Sequence, residues 1–131
     1  MKKPAGAVLK KLAEKAREAV ENAVAPFSNF RVGAALITAG GRVYTGCNIE
    51  NPSLSMSVCA EKVALMKALS EGEREFVAIA IFADGMEYCP PCGSCRQLLY
   101  EFAPEILVVM AGVKDYRVEY IKSLLPGAFE L

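Results

Sequence analysis

Phe76-Val77-Ala78-Ile79-Ala80-Ile81-Phe82-Ala83 is an uninterrupted apolar run, closed by Asp84-Gly85. A run with no polar face is the pattern of a central strand covered on both sides, which calls for a layered α/β domain. Upstream of it, Ser57 to Ser70 reads as a helix that is apolar nearly all round, with Val58, Ala60, Val63, Ala64, Leu65, Met66, Ala68 and Leu69, ended by Glu71-Gly72. A helix of that kind is expected to lie buried against the sheet and against other elements or subunits. Further upstream, Phe30 to Thr38 and Arg42 to Ile49 read as two strands joined by the turn Ala39-Gly40-Gly41, giving a hairpin. Gly33, Ala34 and Ala35 in the first of these imply that something packs closely on it. The stretch from about Ala5 to Val24 places Leu9, Leu12, Ala13, Ala16, Val20 and Ala23 at helical spacing opposite Lys and Glu. It is an amphipathic scaffold helix, ended by Pro26.

Downstream, Gly93 to Phe102 reads as a helix with Leu98, Leu99 and Phe102 inward. Ile106 to Met110 is a second buried strand, Tyr116 to Tyr120 a short edge strand, and Ile121 to Leu125 a last helical turn before Pro126-Gly127. The order implies an α/β fold with three layers, α/β/α, around a sheet of five strands. No repeat or linker interrupts it. At 131 residues the chain is read as one domain, 1–131, since domains run to about 100–200 residues.

Apolar residues make up 53% of the chain, and fifteen acidic residues balance fifteen basic ones. A core is affordable at that composition, and the neutral balance disfavours a protein that grips nucleic acid through its phosphates. A small, weakly charged partner is expected instead. No stretch approaches the roughly 18 apolar residues of a membrane span. The start, Met1-Lys2-Lys3-Pro4, turns into an amphipathic pattern and not a signal-peptide core. Five cysteines without an export signal fit a reducing cytoplasm, where clustered cysteines point to metal or redox chemistry before disulfides. There are no histidines, which removes Ser-His and Cys-His nucleophilic schemes and every metal site that needs imidazole.

Two stretches carry the chemistry: Val58-Cys59-Ala60-Glu61 and Pro91-Cys92-Gly93-Ser94-Cys95-Arg96, each at the start of a predicted helix. Cys92 and Cys95, three apart, project to one side. That spacing by itself admits half of a structural zinc site, a thiol redox pair, or part of a catalytic metal site. A structural site needs further cysteines, and Cys47, Cys59 and Cys89 are the remaining sources. Glu61 changes the weighting. A carboxylate on an otherwise apolar helix is costly to bury unless it has a partner or a task. One task is proton transfer beside a metal in a dry pocket; the other reading is a core glutamate bridging backbone amides. Cysteine, x-Glu and then Pro-Cys-x-x-Cys is the pattern of zinc deaminases, in which the glutamate is not a ligand.

The chain resembles the small homotetrameric cytidine deaminases over nearly its whole length. The matching stretches are Phe27-Ser28-Asn29-Phe30-Arg31-Val32-Gly33-Ala34-Ala35-Leu36, Thr45-Gly46-Cys47-Asn48-Ile49-Glu50-Asn51, Cys59-Ala60-Glu61, Pro91-Cys92-Gly93-Ser94-Cys95-Arg96-Gln97 and Leu124-Leu125-Pro126-Gly127-Ala128-Phe129. The resemblance implies a three-layer α/β/α fold with a mixed five-stranded sheet, and one zinc per chain held by Cys59, Cys92 and Cys95 with water as fourth ligand. Glu61 would take the water's proton, pass it to N3 of cytosine and assist departure of ammonia from C4. Asn48 and Glu50 match a ribose-binding pair that holds the 3′-hydroxyl, although by parity alone they could also be a polar pair on one strand face. Phe27 matches an aromatic that packs on the base, and Phe129 one contributed across a subunit contact; core aromatics are the alternative for both. The backbone N–H of Ala60 would meet the pyrimidine O2, and Cys47 and Cys89 are read as non-ligands. The implied activity is deamination of cytidine and 2′-deoxycytidine in pyrimidine salvage, by a cytoplasmic homotetramer with no nucleic-acid or membrane partner. The alternatives are a deaminase of a modified nucleoside such as blasticidin S, and a thiol redox or structural zinc-binding module.

Electrostatics marks one departure from the family pattern. Zinc with three thiolates carries a formal charge of about −1, which opposes deprotonation of its water. Helix N-termini and cationic donors can offset that charge. Three-cysteine members of the family typically have arginine directly after Cys-Ala-Glu, on the ligand sulfurs. Here Lys62 stands in that place as a point charge without the planar fork, and Arg96 is the other cation near the cysteines.

Overall fold

The computed structural model describes residues 3–130. Five strands, β1 (Val32–Thr38), β2 (Val43–Cys47), β3 (Phe76–Ala83), β4 (Leu107–Ala111) and β5 (Tyr116–Tyr120), form one sheet in the order β2-β1-β3-β4-β5. β3 and β4 are parallel and every other pair is antiparallel, so the sheet is mixed as expected. The helices are α1 (Gly6–Ala19), α2 (Ala60–Ser70), α3 (Gly93–Phe102) and α4 (Ile121–Leu124). α3 lies in the crossover between the parallel strands, the connection that such a pair requires.

The apolar run that dictates the layering is the middle strand. Alternate residues of β3 serve opposite cores: Ile79, Ile81 and Ala83 pack with Leu65, Leu99 and Ile121 from α2, α3 and α4, while Ala78, Ala80 and Phe82 pack with Leu9, Leu12 and Ala16 of α1. Three layers follow, with alanines spread through both cores. Small residues let the helices approach closely. A Cβ on Gly33 would lie 2.2 Å from the Ala16 carbonyl oxygen and 2.6 Å from the Val20 nitrogen.

On the other face, a Cβ on Gly46 would lie 2.6 Å from both the Ala60 carbonyl oxygen and the Ala64 nitrogen. The first turn of α2 therefore rests directly on β2, and this contact sets the height of Cys59 and Glu61. Both obstructing atoms are backbone and cannot swing aside. Gly46→Ala is expected to destabilise the protein by about 1–3 kcal/mol, as overpacking does, measured as a shift of the urea midpoint at constant slope.

Several boundaries differ from the sequence-based expectation, each for a local reason. β1 starts at Val32 and not Phe30, and β2 stops at Cys47, because the Asn48 amide takes over the end of the ladder. Its oxygen accepts from the Val32 N–H at 2.9 Å and its nitrogen donates to the Phe30 carbonyl at 2.7 Å. Ile49 leaves the hairpin and bridges Val24 and Val58 instead. That second bridge keeps Val58 extended, so α2 begins at Ala60, after a tight turn over Leu54–Met56. α2 buries one face only, through Ala60, Glu61, Ala64, Leu65 and Ala68, and Met66 is exposed. Phe102 does not point inward. It is 43% exposed, and the buried Ala103, just past the end of α3, takes the inward place after Cys95 and Leu99. Among the described residues, no helix is long and apolar enough to cross a membrane.

Candidate active site

α2 and α3 begin at the same place. α2 ends where the chain turns into β3, so its first turn lies at the far end of that strand, where the chain leaves for α3. Cys59 is the residue capping α2 and Cys92 the one capping α3, both in extended conformation, with Cys95 in the first turn of α3. The Cys59 and Cys92 sulfurs are 3.8 Å apart, and all three sulfurs lie within 4.8 Å of one another. Tetrahedral zinc with bonds of about 2.3 Å needs sulfurs about 3.8 Å apart, the spacing of the Cys59–Cys92 pair, and the third sulfur is close enough to join them. Two helix N-termini aim their partial positive charge at the cluster, which offsets part of the charge on three thiolates. Among the described residues this is the one group of metal-ligating side chains so gathered.

Beside the sulfurs is a cavity of about 250 Å³ lined by Cys59, Ala60, Glu61, Cys92, Asn48 and Glu50, with Phe30, Val32, Ser57, Val58, Cys89 and Pro90 completing it. Glu61, in the first turn of α2, is only 5% exposed. Burial, with some help from the nearby Cys59 charge, pushes its carboxyl up to about 7. That is a carboxyl able to take and return a proton near neutrality. In the metal-free cluster the thiols share protons unequally. Hydrogen bonds, first from Cys95 and then from Cys92, hold the Cys59 thiol below its ordinary range, and Cys95 is correspondingly raised.

Glu50 faces the same cavity and is held from behind. Its carboxylate accepts from the Phe27 and Ser28 N–H groups at 3.0 and 3.1 Å, and from the Ser28 hydroxyl. The Ser28 hydroxyl bond is the main reason its pKa is lowered, so it is ionised and pre-oriented. Asn48 and Glu50 are therefore not a cross-strand pair: one ends the ladder and the other is tethered to the chain after Pro26.

Phe27 lies outside this cavity, in an adjoining hollow with Glu50 and Ser57, and is 59% exposed. Phe129 is 69% exposed, its carbonyl accepting from the Gln97 amide at 3.3 Å, and it does not line the cavity within one chain. Neither is a core aromatic. Lys62 is exposed in a groove behind Cys59 and Cys95, where its charge contributes to lowering Cys59. Arg96 donates to the Pro91 and Leu124 carbonyls at 2.8 and 2.9 Å, holding the chain just before Cys92. Sequence reasoning did not place Cys89 in the cavity wall, where burial pushes its thiol up to about 12. Nor did it single out Ser28, the tether of Glu50, although Ser28 belongs to the first matching stretch.

The family model for the cytidine and deoxycytidylate deaminase zinc-binding region matches residues 7–111. A cytidine deaminase from Halalkalibacterium halodurans is 47% identical over 120 residues, covering 90% of this chain and 91% of that protein. This chain belongs to the cytidine deaminase family. A second family member, from Sporosarcina psychrophila, is 44% identical over 92% of this chain and 90% of its own length. The crystal structure of cytidine deaminase from Burkholderia pseudomallei superposes with a TM-score of 0.87 at 46% identity, covering 91% of this chain and 97% of that one. The mixed five-stranded sheet and its helices are thus the cytidine deaminase fold.

The raised Glu61 carboxyl has a consequence for the metal-free protein. Between its ordinary value of 4.5 and about 7, the folded state holds a proton that the unfolded state has lost. Stability is then complete below 4.5 and falls as pH rises through that window. Denaturant midpoints of zinc-free protein at about pH 5 and 7 are expected to fall with pH. The lowered Cys59 thiol acts in the opposite sense, adding stability as pH rises, so Glu61→Gln, which removes the decline, separates the carboxyl from the thiols.

Proposed function

We propose that this protein is a zinc-dependent cytidine deaminase, converting cytidine and 2′-deoxycytidine with water to uridine and 2′-deoxyuridine plus ammonia. The observation that carries the proposal is one cavity walled by Cys59 and Cys92 of the sulfur trio, the buried Glu61 and the pair Asn48 and Glu50, with Cys95 completing the trio behind it. Zinc held by Cys59, Cys92 and Cys95 supplies a Lewis acid that lets water act as a nucleophile near neutral pH.

The chain's own groups do the rest. Glu61 takes a proton from the attacking water, delivers it to ring N3, and carries a second to the departing amine at C4. A pKa near 7 suits a group that must both accept and donate. The Ala60 N–H, in the first turn of α2, lacks an intrahelical acceptor and is free to meet the pyrimidine O2. Ionised Glu50 and Asn48 hold the ribose 3′-hydroxyl, Glu50 with its position already set by Ser28. Lys62 and Arg96 divide the support of the cluster: Lys62 supplies charge near Cys59, while Arg96 fixes the backbone that presents Cys92.

Phe27 and Leu54 are exposed in the hollow beside the cavity, and Met56 and Phe129 are exposed as well in the single chain. Exposed apolar side chains rimming a polar site mark a contact surface, and a homotetramer in which Phe129 reaches a neighbour's site accounts for them. The even charge balance suits an uncharged nucleoside better than nucleic acid.

The deciding test is cytidine turnover followed by ultraviolet absorbance, together with zinc analysis. About one zinc per chain and steady loss of cytidine absorbance are expected. Metal-free, redox-active protein without turnover refutes the proposal. Glu50→Ala is expected to raise KM for cytidine by about tenfold or more, the cost of losing hydrogen bonds to a charged group, with a smaller effect on kcat.

A further inference from the structure

The loop from β3 to α3, residues 84–92, supplies Cys89 and Pro90 to the cavity wall and ends on Cys92. Its downstream end is fastened at Pro91, which is buried and whose carbonyl accepts from Arg96. Its upstream end is held by the Arg31–Asp84 ion pair at 2.8 Å, and its middle is fastened by Tyr88. The Tyr88 phenol donates to the Asp115 carboxylate, 3.0 Å from either oxygen, and the Arg117 guanidinium lies 4.4 Å over the ring centroid.

Asp115 is itself immobilised. Its carbonyl accepts from the Gly112 N–H at 2.8 Å and from Arg17 at 3.1 Å, and Arg17 also donates to the Gly112 carbonyl at 2.7 Å. Gly112 abuts the loop so closely that a Cβ there would lie 2.7 Å from the Glu87 carbonyl oxygen and 3.3 Å from the Tyr88 ring. α1, the turn between β4 and β5, and the loop are thereby locked together. None of these residues lines the cavity.

We infer that Tyr88, clamped by Asp115 and Arg117, is a positioning residue that sets the Cys89–Pro90 wall of the substrate cavity, an inference that rests on the deaminase reading of that cavity. Cys89 is the single residue between Tyr88 and the pair Pro90-Pro91. Cys89 precedes a proline, which narrows its own backbone to extended conformations, and both proline φ angles are confined near −65°, so little backbone freedom is left to absorb a shift at Tyr88 along the wall. The Cys89 thiol, 3.6 Å from the Pro90 carbonyl, stiffens the same link. The phenol stays protonated and donating, because its bond to Asp115 raises its pKa. The zinc cluster has its own fastening through Arg96, so loosening Tyr88 disturbs substrate fit before it disturbs the metal.

The test is steady-state kinetics with cytidine and zinc analysis on the whole protein, comparing wild type, Tyr88→Phe and Gly112→Ala. Tyr88→Phe keeps the ring under Arg117 and removes only the hydroxyl; Gly112→Ala pushes on the same loop from the turn. Both are expected to raise KM about threefold to tenfold, the range spanned by one hydrogen bond, with kcat within about twofold and zinc content unchanged. Lys122→Ala, which breaks a surface pair with Glu105 elsewhere, should leave KM alone. If Tyr88→Phe keeps the wild-type KM, or loses kcat or zinc with KM unmoved, the positioning role is overturned, whether or not Gly112→Ala folds. A wild-type protein that does not deaminate cytidine overturns the deaminase reading itself, a result distinct from wild-type turnover with an unmoved KM in the variants.

Discussion

Glu61→Ala is expected to lower cytidine turnover by about 10³- to 10⁴-fold, the upper part of the range for a lost proton-transfer group, while zinc stays bound. The size follows from the environment of the carboxyl. Glu61 is buried at the metal-facing end of the cavity, with its pKa pushed up to about 7 by that burial. It is the one carboxylate beside the sulfur trio; Glu50, the cavity's other carboxylate, is tethered to Phe27 and Ser28. With no histidine in the chain, no imidazole is available to take the proton in its place. Removing Glu61 should affect kcat far more than KM, because proton transfer is a transition-state contribution. Parallel measurements of absorbance change and zinc content on wild type and variant decide it. An active Glu61→Ala protein would remove Glu61 from the mechanism.

Cys92→Ala is expected to abolish both zinc retention and turnover. Two sulfurs then remain, and the opened position exposes the ion to solvent and chelators. Loss of outer-shell partners alone costs about 10- to 100-fold in metal affinity, so loss of a ligand should exceed that. Because zinc binds the folded cluster and not the unfolded chain, the variant and chelator-stripped wild type should both melt lower than the zinc-loaded protein. Added zinc should raise the melting point of wild type only. Cys47→Ala and Cys89→Ala are the comparisons: both sulfurs lie outside the trio, and zinc content near one per chain is expected for each. If Cys92→Ala retains zinc and activity, the trio is not the metal site.

Much of the fold was legible in periodicity. The run Phe76–Ala83 and the helix Gly93–Phe102 have the predicted bounds, because each is a regular pattern closed by strong breakers. The misreadings fall where a side chain or a long-range contact overrules local pattern. Apolar character continues past the true ends of β1 and β2, but the Asn48 amide intercepts the ladder there. Phe102 is as apolar as Leu99, yet α3 ends at that residue, and Ala103 fills the inward place.

The chemistry of the site was also written locally. The two cysteine stretches, a glutamate and an absence of histidine point to a sulfur-rich metal site with a nearby carboxyl, because ligand type and helix-start spacing are properties of short segments; the family resemblance is what picks Cys59, Cys92 and Cys95 out of five cysteines. Convergence was not local. Cys59 meets Cys92 because α2 and α3 both start at one end of β3, which depends on how the chain returns across the sheet. The burial that lifts the Glu61 pKa, the turning of Glu50 into the same cavity and the anchoring of the Cys89–Pro90 wall by Tyr88 belong to the packed molecule. Burial and field at a group are set by neighbours distant in sequence, so only the tertiary structure decides them.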